Sequence, residues 1–137
     1  MKYQIVIDTN VIVTSMLSKK GASYKLVGIF DKAEKFDINI TVPLFFEYEY
    51  ALKKQNINYL KIEKILGYLA KHANQIDVHY LWRPYLPDTK DDCVLEAAIN
   101  SSSQFIITYN KKDFKNVFQL GIKIVNPKEF LEIIGEI

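Results

Sequence analysis

The chain is poor in the residues that usually advertise a chemistry. It has one cysteine, Cys93, so no disulfide can form within it, which suits a reducing cytoplasm. Cys93 reads instead as a small hydrophobe inside a helix. The two histidines, His72 and His79, lie outside every motif described below, which leaves little for zinc. Arginine is nearly absent: Arg83 stands alone beside seventeen lysines. The formal charge of +2 lacks the strong basic excess common among nucleic-acid binders, so global charge does not point to one. No apolar stretch approaches the length of a membrane helix, and the run before Asp8 is too short for a signal peptide. The expectation is a soluble, cytoplasmic protein with no membrane partner. Repeats, low-complexity segments and linker-like shifts in composition are also missing.

What remains is an ordinary globular composition, 49% hydrophobic and 25% charged over 137 residues. This length reads as one domain, 1–137, able to bury about 68% of its unfolded surface without a staple. Short apolar runs alternate with stretches of helical period. Tyr3–Asp8 is a β-branched strand of the kind covered on both faces. Helices follow over 10–18 and 22–32, separated by Gly21, then a strand over 37–42. Pro43 opens a helix to about Gln55, and Asn58 to Ala73 forms another with Ile62, Ile65, Leu66 and Leu69 on one face. A short strand over 76–79 leads into an irregular segment over 79–87. A helix over 90–102 and strands over 105–108 and 123–125 precede a last helix from Pro127. Such alternation predicts an α/β fold, three layers with a central, mainly parallel sheet of four to five strands.

Ligands of open parallel sheets bind at the carboxyl ends of the strands, so the polar residues there are informative. Asp8 ends the first strand, followed by Thr9 and Asn10. An aspartate here can simply cap the next helix, a role Asn10 could equally take. Glu47 borders the inward stripe of Leu44, Tyr48, Ala51 and Leu52, whereas Glu49 points farther toward solvent. In LPDTKDDCVLEAAI, Thr89 and Asp92 make an approximate capping box, which accounts for Asp92. Asp91 instead leads the apolar stripe of Val94, Leu95 and Ala98, and an acid in that position calls for a reason. Thr108, Asn110 and Asp113 follow the strand in FIITYNKKDF, where turn roles are the plain alternative. Acids gathered at one sheet edge repel each other unless a cation intervenes, and oxygen ligands suit Mg²⁺ or Mn²⁺. Lysine groups at 19–20, 53–54 and 111–112 with Lys115 read first as solvated surface, although lysine also meets phosphate as a point charge.

IDTNVIVTSMLS, VPLFFEYEYAL, LPDTKDDCVLEAAI, FIITYNKKDF and IVNPKEFLEII, in this order, resemble the PIN-domain family, particularly the toxin ribonucleases of prokaryotic toxin–antitoxin pairs. The resemblance implies that Asp8, Glu47 and Asp91 are metal-ligating acids, with Asp92 as the register alternative to Asp91. Asn110 takes a fourth position where many members carry aspartate, and Asp113 would partly compensate. Thr9, Asn10 and Thr108 would be supporting polar groups. The implied activity is Mg²⁺- or Mn²⁺-dependent hydrolysis of RNA phosphodiesters, leaving 3′-hydroxyl and 5′-phosphate ends. The implied partners are a protein antitoxin and a second copy in a homodimer, a role for which nine tyrosines and eight phenylalanines offer material.

Other readings fit less well. A haloacid-dehalogenase-type phosphatase needs a second aspartate where Asn10 stands. A response-regulator receiver needs an acceptor aspartate that the TVPLFF segment does not supply. A non-catalytic PIN-like binding or assembly module is the stronger rival, and Asn110 is the residue that sustains it.

Overall fold

Three consecutive β-branched residues, Ile5, Val6 and Ile7, favour extended backbone and offer no polar side to water. The computed structural model describes residues 2–32, 34–79, 86, 89–115 and 117–137, without the side chains of 89 and 90. It places the three in β1 (Tyr3–Ile7), where all are fully buried. β1 lies between β2 (Phe36–Ile40) and β4 (Phe105–Ile107), with Ile5 opposite Ile38 and Phe105. β3 (Asn74–Gln75) and β5 (Lys123–Val125) complete a sheet of order β3-β2-β1-β4-β5, every pairing parallel. The helices that flank it are α1 (Thr9–Leu17), α2 (Ala22–Gly28), α3 (Val42–Lys53), α4 (Tyr59–His72), α5 (Thr89–Asn100) and α6 (Pro127–Ile133). This is the expected α/β fold; among the described residues the sheet has five strands and no antiparallel member.

Several element ends differ from the sequence reading for local reasons. Thr41 and Val42 leave the second strand, because the Thr41 hydroxyl accepts from the Leu44 N–H and caps α3. α2 stops at Gly28, a poor helix former, and a short 3₁₀ turn at Phe30–Lys32 follows. The edge strand expected over 76–79 lies at Asn74–Gln75, where its polar side chains gave no apolar signal. Asn10 lies inside α1, so Asp8 rather than Asn10 occupies the cap position. α5 already includes residue 89; the side chain of Thr89 and most of the segment over 79–87 lie outside the described residues. Elsewhere the reading holds closely: Ile62, Ile65, Leu66 and Leu69 are buried, and Asn126 with Glu129 forms a capping box at α6.

The strand order sets where a site can open. From β1 the sheet grows one way through β2 and β3, and the other way through β4 and β5. Growth therefore reverses at the β1–β4 seam, where the connections leaving the carboxyl ends part and leave a crevice. The Asp8 N–H donates to the Ile107 carbonyl at 2.9 Å, holding the two strand ends side by side. At the opposite end, Phe36 and Phe105 meet Phe130 edge-to-face at 5.4 and 5.6 Å, fastening α6 to the sheet.

Candidate active site

Asp8 emerges where β1 gives way to α1, and both its oxygens are held. Oδ1 accepts from the Thr9 N–H at 2.7 Å, and Oδ2 accepts from the Thr108 hydroxyl at 2.6 Å. Capping and site roles are therefore compatible in one carboxylate. Thr108, fully buried at the end of β4, also accepts from the Asn110 N–H at 3.0 Å. Asn10 reaches across the same seam, its Oδ1 accepting from the Tyr109 N–H at 3.4 Å. One polar lattice thus joins the ends of the two central strands.

A cavity of about 350 Å³ opens over this seam. Asp8, Thr9 and Asn10 line it from the β1–α1 junction, Glu47 from α3, Asp91 from α5 and Asn110 from beyond β4. α1 extends it with Val13 and Thr14, α3 with Tyr50 and Ala51, and the residues just past α3 with Lys54 and Gln55. Thr108 stands behind Asp8 rather than on the cavity wall. Asp113 sits in the 3₁₀ turn Lys111–Phe114 and is not among the lining residues. His72 instead packs its ring against Tyr68, and His79 is exposed.

The two neighbouring acids of α5 have opposite surroundings. Asp91 is half-buried on the cavity, ahead of the buried Val94, Leu95 and Ala98. Asp92 is fully buried, and its Oδ1 accepts from the Leu86 N–H at 2.9 Å. Asp92 therefore ties the preceding segment to the helix, beyond the first-turn cap expected of it.

Tyr48 was legible only as core. It is buried on α3, and its hydroxyl donates to the Ile7 carbonyl, one residue before Asp8. Burial, and then the charge of Asp8, pushes its phenol well above the ordinary tyrosine range, so it remains a protonated donor. This bond ties the helix carrying Glu47 to the strand carrying Asp8. Tyr50, Ala51 and Lys54 were also missed as cavity residues. The usable signal was helical spacing, since they follow Glu47 by three, four and seven positions.

The donors facing the cavity are three carboxylates with amide and hydroxyl oxygens, a set that fits a hard divalent cation. Among the described residues, no three His, Cys, Asp or Glu side chains form a closed metal-binding group. Mg²⁺ keeps several waters and commonly takes one or two carboxylates, so it suits acids that frame a cavity without converging on a point. Among the described residues, no helix is long and apolar enough to cross a membrane.

Solved structures share the fold. A chain of VapBC2 from Rickettsia felis, bound to a DNA fragment from their promoter, matches with TM-score 0.64 at 16% identity, covering 90% of this chain and 98% of that one. A chain of VapBC-1 from nontypeable Haemophilus influenzae matches with TM-score 0.63 at 15% identity, covering 91% and 98%. No curated protein gives a significant sequence match. The PIN-domain family model matches residues 4–112, from β1 into the turn after β4, and the chain belongs to the PIN-domain family.

Proposed function

We propose that this protein is a metal-dependent endoribonuclease, acting as the toxin of a toxin–antitoxin pair. The observation that carries this reading is that Asp8, Glu47, Asp91 and Asn110, from four parts of the fold, line one cavity at the switch point of the sheet. Asp8, Glu47 and Asp91 would hold Mg²⁺ or Mn²⁺, with Asn110 as a neutral fourth donor. A cation bound there would offset the charge of the phosphate and activate a water for in-line attack. The hydroxyl of that water ends on the 5′-phosphate and its proton on the departing 3′-oxygen. Thr108 and the Thr9 N–H hold the Asp8 carboxylate in one orientation, and Tyr48 keeps α3 docked beside it. Asn110 leaves the cavity one negative charge short of a four-acid site. That weakens its hold on a cation and also lowers its repulsion of RNA.

The rival reading is a non-catalytic binding module, favoured by the amide of Asn110 and by the lack of a closed three-acid group among the described residues. Incubation with a mixed RNA panel separates the two. Wild-type protein should cut with Mg²⁺ or Mn²⁺, stop with EDTA and leave 5′-phosphate ends, and Asp8→Asn and Asp91→Asn should each abolish cutting. Cleavage that survives both substitutions indicates a contaminant or another site.

An antitoxin partner is supported by the fold shared with VapBC toxin–antitoxin complexes. Homodimerisation is supported by Val42 and Phe46, both exposed, which share an apolar groove with Phe45. Light scattering that reports a monomer at high concentration would remove the dimer from the proposal.

A further inference from the structure

We infer that the far half of the cavity is a subsite for one unstacked nucleotide, its base on the ring of Tyr50 and its phosphate on Lys54. The inference rests on the nuclease reading, which gives the cavity a strand to hold, and adds the residues that hold it. Glu47 and Tyr50 on α3 and Lys54, the residue that caps its end, follow one another at spacings of three and four, and all three line the cavity. The surface runs from acid to aromatic to cation over about 10 Å of helix. Tyr50 lies off the inward stripe of Leu44, Tyr48 and Leu52 and is 52% exposed, so its ring is within reach of a ligand in the cavity. The Lys54 ammonium stands 4.3 Å from its ring centroid, which orients the ring and leaves the charge at the cavity. Val13 and Ala51 supply apolar wall.

Two other lysines of the groups marked in the sequence are paired away from the cavity. Lys53 pairs with Glu49 at 3.5 Å and Lys111 with Glu129 at 2.5 Å. Lys54 is the member of those groups that lines the cavity. An aromatic face accepts any base, and an ammonium meets any phosphate, so the subsite reads flexibility rather than sequence. A paired base is sealed within its stack, so the strand that fits is single or looped.

The test is fluorescence anisotropy with a short labelled oligouridylate, a matched oligothymidylate and an RNA duplex, with Ca²⁺ in place of Mg²⁺ and strand integrity checked on a gel. Tyr50→Ala should weaken single-strand binding about tenfold and spare the duplex, while Tyr50→Phe binds as wild type. Lys54→Gln should lower the slope of log affinity against log salt by about 0.7. An equal Tyr50→Ala loss on both oligomers means base and phosphate suffice; a loss on both that is larger on RNA adds a ribose contact, and both outcomes support the subsite. Unchanged single-strand binding by Tyr50→Ala, or an equal loss on the duplex, overturns it. Cleavage and Mn²⁺ binding are scored separately on the same proteins. A wild type that cuts while Tyr50→Ala binds normally sinks the subsite alone. A Tyr50-dependent stack without Mn²⁺ binding by wild type sinks the nuclease reading.

Discussion

Two polar networks sit at opposite ends of the same central strands, and they are built for different ends. Toward the amino ends of β1 and β4, the buried Asn39 amide donates to Gln4 Oε1 at 3.0 Å, to Ser103 Oγ at 3.3 Å and to the Ile5 carbonyl at 3.3 Å. Its own Oδ1 accepts from Asn74 Nδ2 at 3.3 Å. This network is mostly amide and hydroxyl, its donors and acceptors answer each other, and its value is in aligning strands. At the carboxyl ends, Asp8 and Thr108 are equally well held, yet Glu47 and Asp91 bring further negative charge to an open cavity. Neutral groups satisfied by one another make structure. Like charges collected at a switch point invite a cation and a ligand.

That contrast can be broken by substitution, beginning with the largest effect. Asp8→Asn should reduce RNA cleavage at least about a hundredfold, some 2.7 kcal/mol of transition-state stabilisation, in a single-turnover assay. Its melting temperature should change far less than its rate. Asn39→Leu should do the reverse: about 2 kcal/mol of stability lost in urea titration, because several buried partners are left unanswered, with cleavage per folded molecule retained. Equal effects of the two substitutions on rate would erase the distinction between the networks.

Tyr48→Phe probes the link between core and site. It removes the donor to the Ile7 carbonyl and keeps the ring, so about 1 kcal/mol of stability should go, read by urea titration. Mn²⁺ affinity should fall with it if docking of α3 sets the placement of Glu47. The smallest effect belongs to Glu129, whose pKa is lowered, chiefly by its hydrogen bond from Lys111. A depressed carboxylate contributes stability above its unfolded pKa and loses it as pH falls through the folded value. Glu129→Gln can keep the capping box, so only the ion pair goes. The pair is half-exposed, so the loss at neutral pH should be about 0.5 kcal/mol or less, vanishing in acid, by thermal melts across pH.

Much of this was legible in the residues because local and global signals agree. The β-branched run before Asp8, the apolar face of α4 and the Asn126–Glu129 capping box each fix an element by short-range chemistry. The sequence could also rank Asp91 over Asp92 as the cavity-facing acid, since Asp91 leads an apolar stripe. It could not show that Asp92 serves the Leu86 N–H, a contact that no helical or strand periodicity signals. Asn110 was placed at the fourth position and Asp113 as a compensating acid; Asn110 lines the cavity, while Asp113, in the 3₁₀ turn, is not among its lining residues. Tyr50 and Lys54 carried their spacing in plain view, and Lys54 its capacity for phosphate, but neither was tied to the cavity that Glu47 lines.

The central claim is that Asp8, Glu47 and Asp91 together hold a divalent cation. Calorimetric titration of Mn²⁺ into wild type, Asp8→Asn, Glu47→Gln, Asp91→Asn and Asp113→Asn tests it most directly. The account predicts binding by wild type and Asp113→Asn, and loss in each of the other three. Unaltered Mn²⁺ affinity in Asp8→Asn, or loss in Asp113→Asn alone, would contradict it.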